Sequence, residues 1–258
     1  MNIPGCAAYV DDIIVFAETI DEHDRILDQV LHRLTKANLR LNTKKCKFRQ
    51  TEINFLGHVI SQGTIRPSRK NIEPIRNYPK PRNCKEVQRF LGVMNYHASF
   101  IPKFAVIAEP LRALTRKNVN FNWSEECDQA FEKLKQIICC DLKLSPFDPT
   151  AQTYVTTDAS NVGIGGVLSQ LQNGKEVPIA YGHKTLDQRQ RNYSAGEKEA
   201  LAAMYFVEHW EKYLIGRRFT LRSDHQTLRT LMTQFGNGRK SGKFQRWFER
   251  LQAFSYTL

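Results

Sequence analysis

No two of the six cysteines (Cys6, Cys46, Cys84, Cys127, Cys139, Cys140) stand at Cys-x-x-Cys spacing, and no pair of histidines follows at zinc spacing. This excludes the usual structural zinc patterns and favours thiols kept reduced, as in an intracellular compartment. Long apolar runs are also missing: none approaches the roughly 18 residues a membrane-spanning helix needs. The first residues, Met1 to Ala8, show no basic stretch leading into an apolar core, so no secretory signal is visible. Acid is in short supply, with 26 Asp and Glu against 38 Lys and Arg, a formal charge of +12. Such a balance suits a polyanionic partner such as nucleic acid. What remains is ordinary: 258 residues, 41% hydrophobic and 25% charged, enough for two compact domains each with a core.

The few carboxylates fall in telling places. Tyr154-Val155-Thr156-Thr157 reads as a strand, and Asp158 follows at its end, ahead of Gly163, Gly165 and Gly166. Glu199 is expected on a helix and Asp224 at the end of another strand. Carboxylates from three separate elements repel one another unless a cation lies between them, which points to a hard divalent metal. Glu197 competes with Glu199, but two residues along a helix turn the side chain by about 200°, so only one faces the metal. Ala202 on the Glu199 face would let that helix lie close to the sheet, which favours Glu199. Taken singly, Asp158 suits a turn, Glu199 a solvated helix and Asp224 a cap before His225. The glycines lie inside a hairpin and match no dinucleotide fingerprint; they would let a nucleic-acid backbone approach closely.

The chain opens on Ala8-Tyr9-Val10-Asp11-Asp12-Ile13-Ile14-Val15-Phe16, which suggests a β-hairpin with two carboxylates at its tip. An ordinary acidic turn and a two-metal nucleotidyl-transfer site both fit it. A helix follows, capped by Thr19 or Asp21, with Ile26, Leu27, Val30, Leu31 and Leu34 at helical spacing. Lys44, Lys45, Lys47 and Arg49 form a basic cluster. Glu52 to Ile60 reads as one strand, turned back at Ser61-Gln62-Gly63 into Thr64-Ile65-Arg66. From Ser68 to about Lys117 the pattern is helical, punctuated by Pro74, Pro79 and Pro81, with Asn83 as a cap. Phe90, Tyr96, Phe100 and Phe104 suit either base stacking or apolar packing, the second being commoner. From about Thr150 an antiparallel three-strand meander leads to a helix over about Ser194 to Tyr213. Then come a strand, two helices and a last strand at Tyr256. Gln188 to Arg191 and Arg239 to Lys243 are basic clusters suited to phosphate.

The ordered combination of these motifs resembles the Pol polyprotein of gypsy-type LTR retroelements, a reverse transcriptase followed by ribonuclease H. The residues that carry it are Tyr9-Val10-Asp11-Asp12, Asn54-Phe55-Leu56-Gly57-His58, Phe90-Leu91-Gly92, Asn95-Tyr96, Phe100-Ile101 and Phe121-Asn122-Trp123-Ser124. Ala130 to Lys135, Thr157-Asp158-Ala159-Ser160, Asn192-Tyr193, Glu197 to Ala202 and Ser223-Asp224-His225 continue it to the end of the chain. Tyr78 and His97 stand where Trp and Tyr are common.

The resemblance implies an α/β (α+β) chain: a partial polymerase palm and helical thumb, then a ribonuclease H-like mixed five-stranded sheet with helices. The implied parts are the C-terminal palm over 1–66, a thumb-like region over 67–118, a connector over 119–149 and the ribonuclease H-like domain over 150–258. It implies Asp11 and Asp12 as palm metal ligands, Phe55, Leu56, Gly57 and His58 as the hairpin on the primer end, and Asp158, Glu199 and Asp224 as the nuclease carboxylates. The expected cofactor is Mg2+ or Mn2+. The expected partners are RNA–DNA hybrid, primer–template and other parts of the polyprotein, in a cytoplasmic particle or the nucleus. The family's third palm aspartate would precede Met1, and its fourth nuclease aspartate would follow Leu258. The chain alone is therefore expected not to extend a primer and to cleave hybrid weakly or not at all. A non-catalytic nucleic-acid-binding remnant of such an element is the alternative.

Overall fold

A computed structural model describes residues 3–140, 142–223 and 242–258. The chain divides into two compact units, Met1–Gln62 and Gly63–Leu258.

In the first unit β1 (Cys6–Tyr9) and β2 (Asp12–Val15) form the expected antiparallel hairpin, with Tyr9 opposite Asp12. Val10 and Asp11 make its two-residue loop. Val10 takes a φ of 52°, a conformation that a β-branched residue adopts at a cost. Thr19 caps α1 (Ile20–Lys36), its side chain accepting from the Glu22 N–H, and Ile26 and Val30 are buried. Gly5 permits this packing: a Cβ there would lie 2.5 Å from Ile26 Cδ1 and 2.7 Å from the Phe16 carbonyl oxygen. The single strand expected over Glu52–Ile60 is in fact a second hairpin, β3 (Glu52–Phe55) and β4 (His58–Ser61). The chain reverses at Leu56 and Gly57, both at positive φ (47° and 74°), as a tight two-residue turn demands. Leucine carries no turn signal, which is why the residues alone read as continuous strand.

The second unit holds two apolar cores. One gathers α2 (Arg69–Arg76), α3 (Cys84–Tyr96), α4 (Phe104–Ile107), α5 (Glu109–Ala113) and α6 (Glu125–Cys139) around Phe90, Met94, Phe104, Leu111, Phe131 and Leu134. Asn83 and Ser124 cap α3 and α6 with their side chains. Phe90, Phe100 and Phe104 are buried and unavailable for base stacking; Tyr96 is exposed. β5 (Thr64–Pro67) joins this unit by an antiparallel bridge from Ile65 to Leu144.

The other core lies against a five-stranded mixed sheet ordered β10-β9-β6-β7-β8. β6 (Thr153–Ala159), β7 (Gly163–Gln172) and β8 (Lys175–Thr185) form the antiparallel meander. β9 (Arg218–Ser223) lies parallel to β6, and β10 (Ser255–Thr257) parallel to β9. After α7 (Gln188–Arg191), α8 (Ala195–His209) supplies most of the apolar cover. It ends at Trp210, and α9 (Glu211–Leu214) is a separate turn, so the helix expected to run to Tyr213 is two. α10 (Gly242–Leu251) precedes β10.

The two cores are tied together. The Phe104 ring meets His183 edge-on with centroids 4.6 Å apart, Arg112 Nη1 donates to Thr185 Oγ1 at 2.9 Å, and Arg191 pairs with Glu109 at 3.1 Å. Arg191 thus serves this junction, which removes one cation from the expected phosphate cluster at Gln188–Arg191.

Burial, followed by the charges of Arg112 and His209, depresses the His183 imidazole to about 4. Between about pH 4 and 6.5 the unfolded histidine binds a proton that the folded one refuses, so this contribution is intact above 6.5 and is lost as pH falls toward 4. The lost stability amounts to up to roughly 3 kcal/mol. Urea unfolding at pH 7 and pH 4.5 should show a larger drop for the native chain than for His183→Gln; equal drops would contradict this assignment.

Candidate metal and nucleic-acid site

The sheet register decides which way Asp158 faces. Directly opposed residues on neighbouring strands share a face. Thr157, Gly166 and Gly182 stand in one such row, and the Phe206 ring of α8 lies on it: a Cβ on Gly166 would come 2.7 Å from that ring, and one on Gly182 2.5 Å. Asp158, Gly165 and His183 form the next row, on the opposite face, where Phe104 packs. Gly163 meets protein as well, since a Cβ there would lie 2.7 Å from Ala105 Cβ. Two of the three glycines after Asp158 therefore admit the protein's own side chains rather than a nucleic-acid backbone; only around Gly165 is there room, its nearest neighbour the Asp158 carbonyl oxygen at 4.0 Å.

Glu199 arrives from the other side. α8 begins with a capping box in which the Ser194 side chain accepts from the Glu197 N–H and the Glu197 carboxylate accepts from the Ser194 N–H at 2.8 Å. Glu197 is thereby engaged at the helix start. Glu199, only 5% exposed, reaches the end of β6, where Oε1 accepts from the Ala159 N–H at 3.2 Å and Oε2 from Ser223 Oγ at 3.1 Å. Ala159 is the residue after Asp158, and Ser223 is the last residue of β9. Glu199 therefore sits across the C-terminal ends of the two parallel strands, the place where open α/β sheets carry their ligand sites.

Asp158 is half-exposed, and its Oδ2 lies 3.0 Å from the Lys103 ammonium. Lys198, buried beside Glu199, donates to Asn161 Oδ1 at 2.9 Å. The donor set at this strand end is carboxylate oxygen, suited to a hard cation such as Mg2+ or Mn2+, and the Asp158 carboxylate already holds a positive group. Asp224 and His225 lie outside the described residues, as does most of Arg239–Lys243. Among the described residues no group of three or more His, Cys, Asp or Glu is assembled. Lys103 was not signalled by the sequence, and Ser223 entered it only as the residue before Asp224, without a role: each acts through a partner far away in the chain.

In the first unit Asp11 and Asp12 are both exposed at the tip of the β1–β2 hairpin. Phe55 and His58 face each other across the β3–β4 turn, with Leu56 and Gly57 at its apex. Burial lowers the His58 pKa, which favours the neutral ring. In the nearby basic cluster Arg49 forms an ion pair with Asp24 at 2.5 Å.

Two family models match successive parts of the chain. One, described as reverse transcriptase (RNA-dependent DNA polymerase), covers residues 4–60; the other, described as an RNase H-like domain found in reverse transcriptase, covers residues 123–221. The Pol polyprotein from transposon 297 of Drosophila melanogaster is 39% identical over 254 residues, which is 98% of this chain and 23% of that protein. The Tf2-3 polyprotein of Schizosaccharomyces pombe is 34% identical over 253 residues, 97% of this chain and 19% of that protein. Two structures of the foamy viral protease–reverse transcriptase share the fold. The dRH form in complex with double-stranded DNA has a TM-score of 0.82 at 25% identity, covering 99% of this chain and 46% of the other. The one in complex with RNA/DNA hybrid has a TM-score of 0.79 at 26% identity, covering 99% and 36%. The chain spans about a quarter or less of the curated relatives it matches. With a reverse transcriptase match followed by a ribonuclease H-like match along one chain, and with identity to retroelement Pol polyproteins over nearly all of its length, this chain is similar to a segment of those polyproteins that joins reverse transcriptase sequence to a ribonuclease H-like domain.

Proposed function

We propose that the second unit binds RNA–DNA hybrid and that Asp158 and Glu199, with Asp224, hold the divalent metal of a ribonuclease H site. The observation that carries this reading is the buried Glu199 carboxylate, held across the ends of β6 and β9 by the N–H of Ala159, the residue after Asp158, and by Ser223. A divalent ion bound there would activate water and stabilise the leaving oxygen of a phosphodiester. The chain's own residues orient that chemistry. Ser223 and the Ala159 N–H fix the Glu199 carboxylate, and the capping box of Ser194 and Glu197 sets the start of the helix that carries it.

The same reading gives residues 1–66 to the palm, with Asp11 and Asp12 as metal ligands for nucleotidyl transfer. Phe55 to His58 then serve as the contact to a primer end. Residues 67–118 are read as thumb, 119–149 as connector and 150–258 as the ribonuclease H-like domain. The +12 charge supports a nucleic-acid partner for the whole, and the relatives support a place within a larger Pol polyprotein.

Fluorescence anisotropy with a labelled RNA–DNA hybrid tests the partner. About four phosphate contacts imply a loss of affinity on the order of 100-fold between 50 mM and 200 mM salt. Absence of binding at low salt, or binding indifferent to salt, would overturn the assignment.

A further inference from the structure

Lys103 lies in the helical part of the second unit, far in sequence from the strand that bears Asp158, yet its Nζ is 3.0 Å from Asp158 Oδ2. The pair is open to solvent, with Lys103 70% and Asp158 49% exposed, and an ion pair of that kind adds little to stability. The backbone that presents it is nonetheless tightly built. Lys103 takes left-handed angles, φ 53° and ψ 29°, a conformation a non-glycine residue keeps only where its surroundings impose it. The surroundings are Ile101 and Phe104, both fully buried, Phe104 against His183, and Ala105 in the space that Gly163 leaves open. These contacts lock the turn to the face of the sheet on which Asp158 lies. Other cations near this face are committed elsewhere, Arg112 to Thr185 and Asn95, and Arg222 to Glu176.

We propose that Lys103 is a positioning residue of the nuclease site, a tethered competitor that holds Asp158 and sets the affinity for the divalent ion. The proposal rests on the reading of Asp158 as a metal ligand. An ammonium on Oδ2 and a divalent ion on the same carboxylate lie within a few ångströms of each other and repel. To bind, the ion must displace the ammonium or suffer its repulsion, which in a solvated site is worth on the order of tenfold in affinity. The displaced ammonium, still tethered beside the site, is then free to meet a substrate phosphate, so metal and hybrid should each favour the other's binding.

Mn2+ titration of the full chain, followed by electron paramagnetic resonance, tests this. Lys103→Met should bind Mn2+ about tenfold more tightly than the native chain, and Lys103→Arg should stay within about twofold of it. Adding Asp158→Asn to the native chain and to Lys103→Met should abolish the difference between them. Native binding with no tightening in Lys103→Met overturns the competitor role and leaves the metal site standing. If no variant binds Mn2+, the metal-site reading falls and this proposal with it. Circular dichroism checks folding. Should Lys103→Met fail to fold, Lys103→Gly, which suits the left-handed backbone, carries the same comparison.

Discussion

Truncating Phe206 to alanine is expected to destabilise the Gly63–Leu258 unit by about 3–5 kcal/mol, the range for removing a buried aromatic ring. Phe206 is fully buried, stacked on Trp210 with centroids 5.2 Å apart, and its ring lies on the sheet where Gly166 and Gly182 have no Cβ. The sheet side of the space cannot fill it: the strand backbone is held by its ladder, and glycine has no side chain to move. Phe206 is also seven residues beyond Glu199 on one helix, almost two full turns, so both residues share a face. The ring that presses α8 onto the sheet therefore also sets how far Glu199 reaches toward Ala159 and Ser223. Chemical denaturation followed by circular dichroism should show the loss, while Leu171→Ala, at a partly exposed position, should change stability little. A loss of less than about 1 kcal/mol in Phe206→Ala would mean that the helix is held mainly by other contacts.

Asp158→Asn and Glu199→Gln should each weaken Mn2+ binding by at least about 100-fold, beyond what altering an outer-shell partner costs. Each substitution keeps shape and removes the negative charge that a hard cation requires. Glu197→Gln is the informative control. Its carboxylate accepts from the Ser194 N–H at the start of α8, a bond that the Gln amide oxygen can also accept, so the substitution should keep the capping box and leave metal affinity within about twofold. Asp224→Asn extends the same measurement to the third carboxylate. Isothermal titration or Mn2+ resonance provides the readout. If Asp158→Asn and Glu199→Gln bind like the native chain, the carboxylates serve structure, and the non-catalytic nucleic-acid-binding reading gains.

Much of the fold was readable because its signals are local. Apolar runs on both sides of Asp11-Asp12 announce a hairpin, Thr19 and Asn83 mark the first turns of their helices, and the meander follows from short turns between β-rich runs. The readings that failed needed partners distant in sequence. Leu56 carries no turn propensity, yet the hairpin takes it to positive φ beside Gly57. The glycines after Asp158 suggested an approaching ligand, because nothing near them in sequence names Phe206 or Ala105 as the groups that occupy the space. Arg191 looked like a phosphate contact until Glu109, 82 residues earlier, claimed it.

Residue order was enough to set the basic charge, most of the succession of strands and helices, the resemblance to retroelement Pol polyproteins, and the expectation that Glu199 rather than Glu197 faces the sheet, since helical rotation allows only one of them to do so. The remainder came from packing between distant segments. Strand register placed Asp158 on the face opposite Phe206, because opposed residues on neighbouring strands must share a side. Close packing of Phe104 and Ala105 against β7 and β8 then carried Lys103 to the Asp158 carboxylate, a contact no local pattern encodes because it depends on how two distant segments fit together.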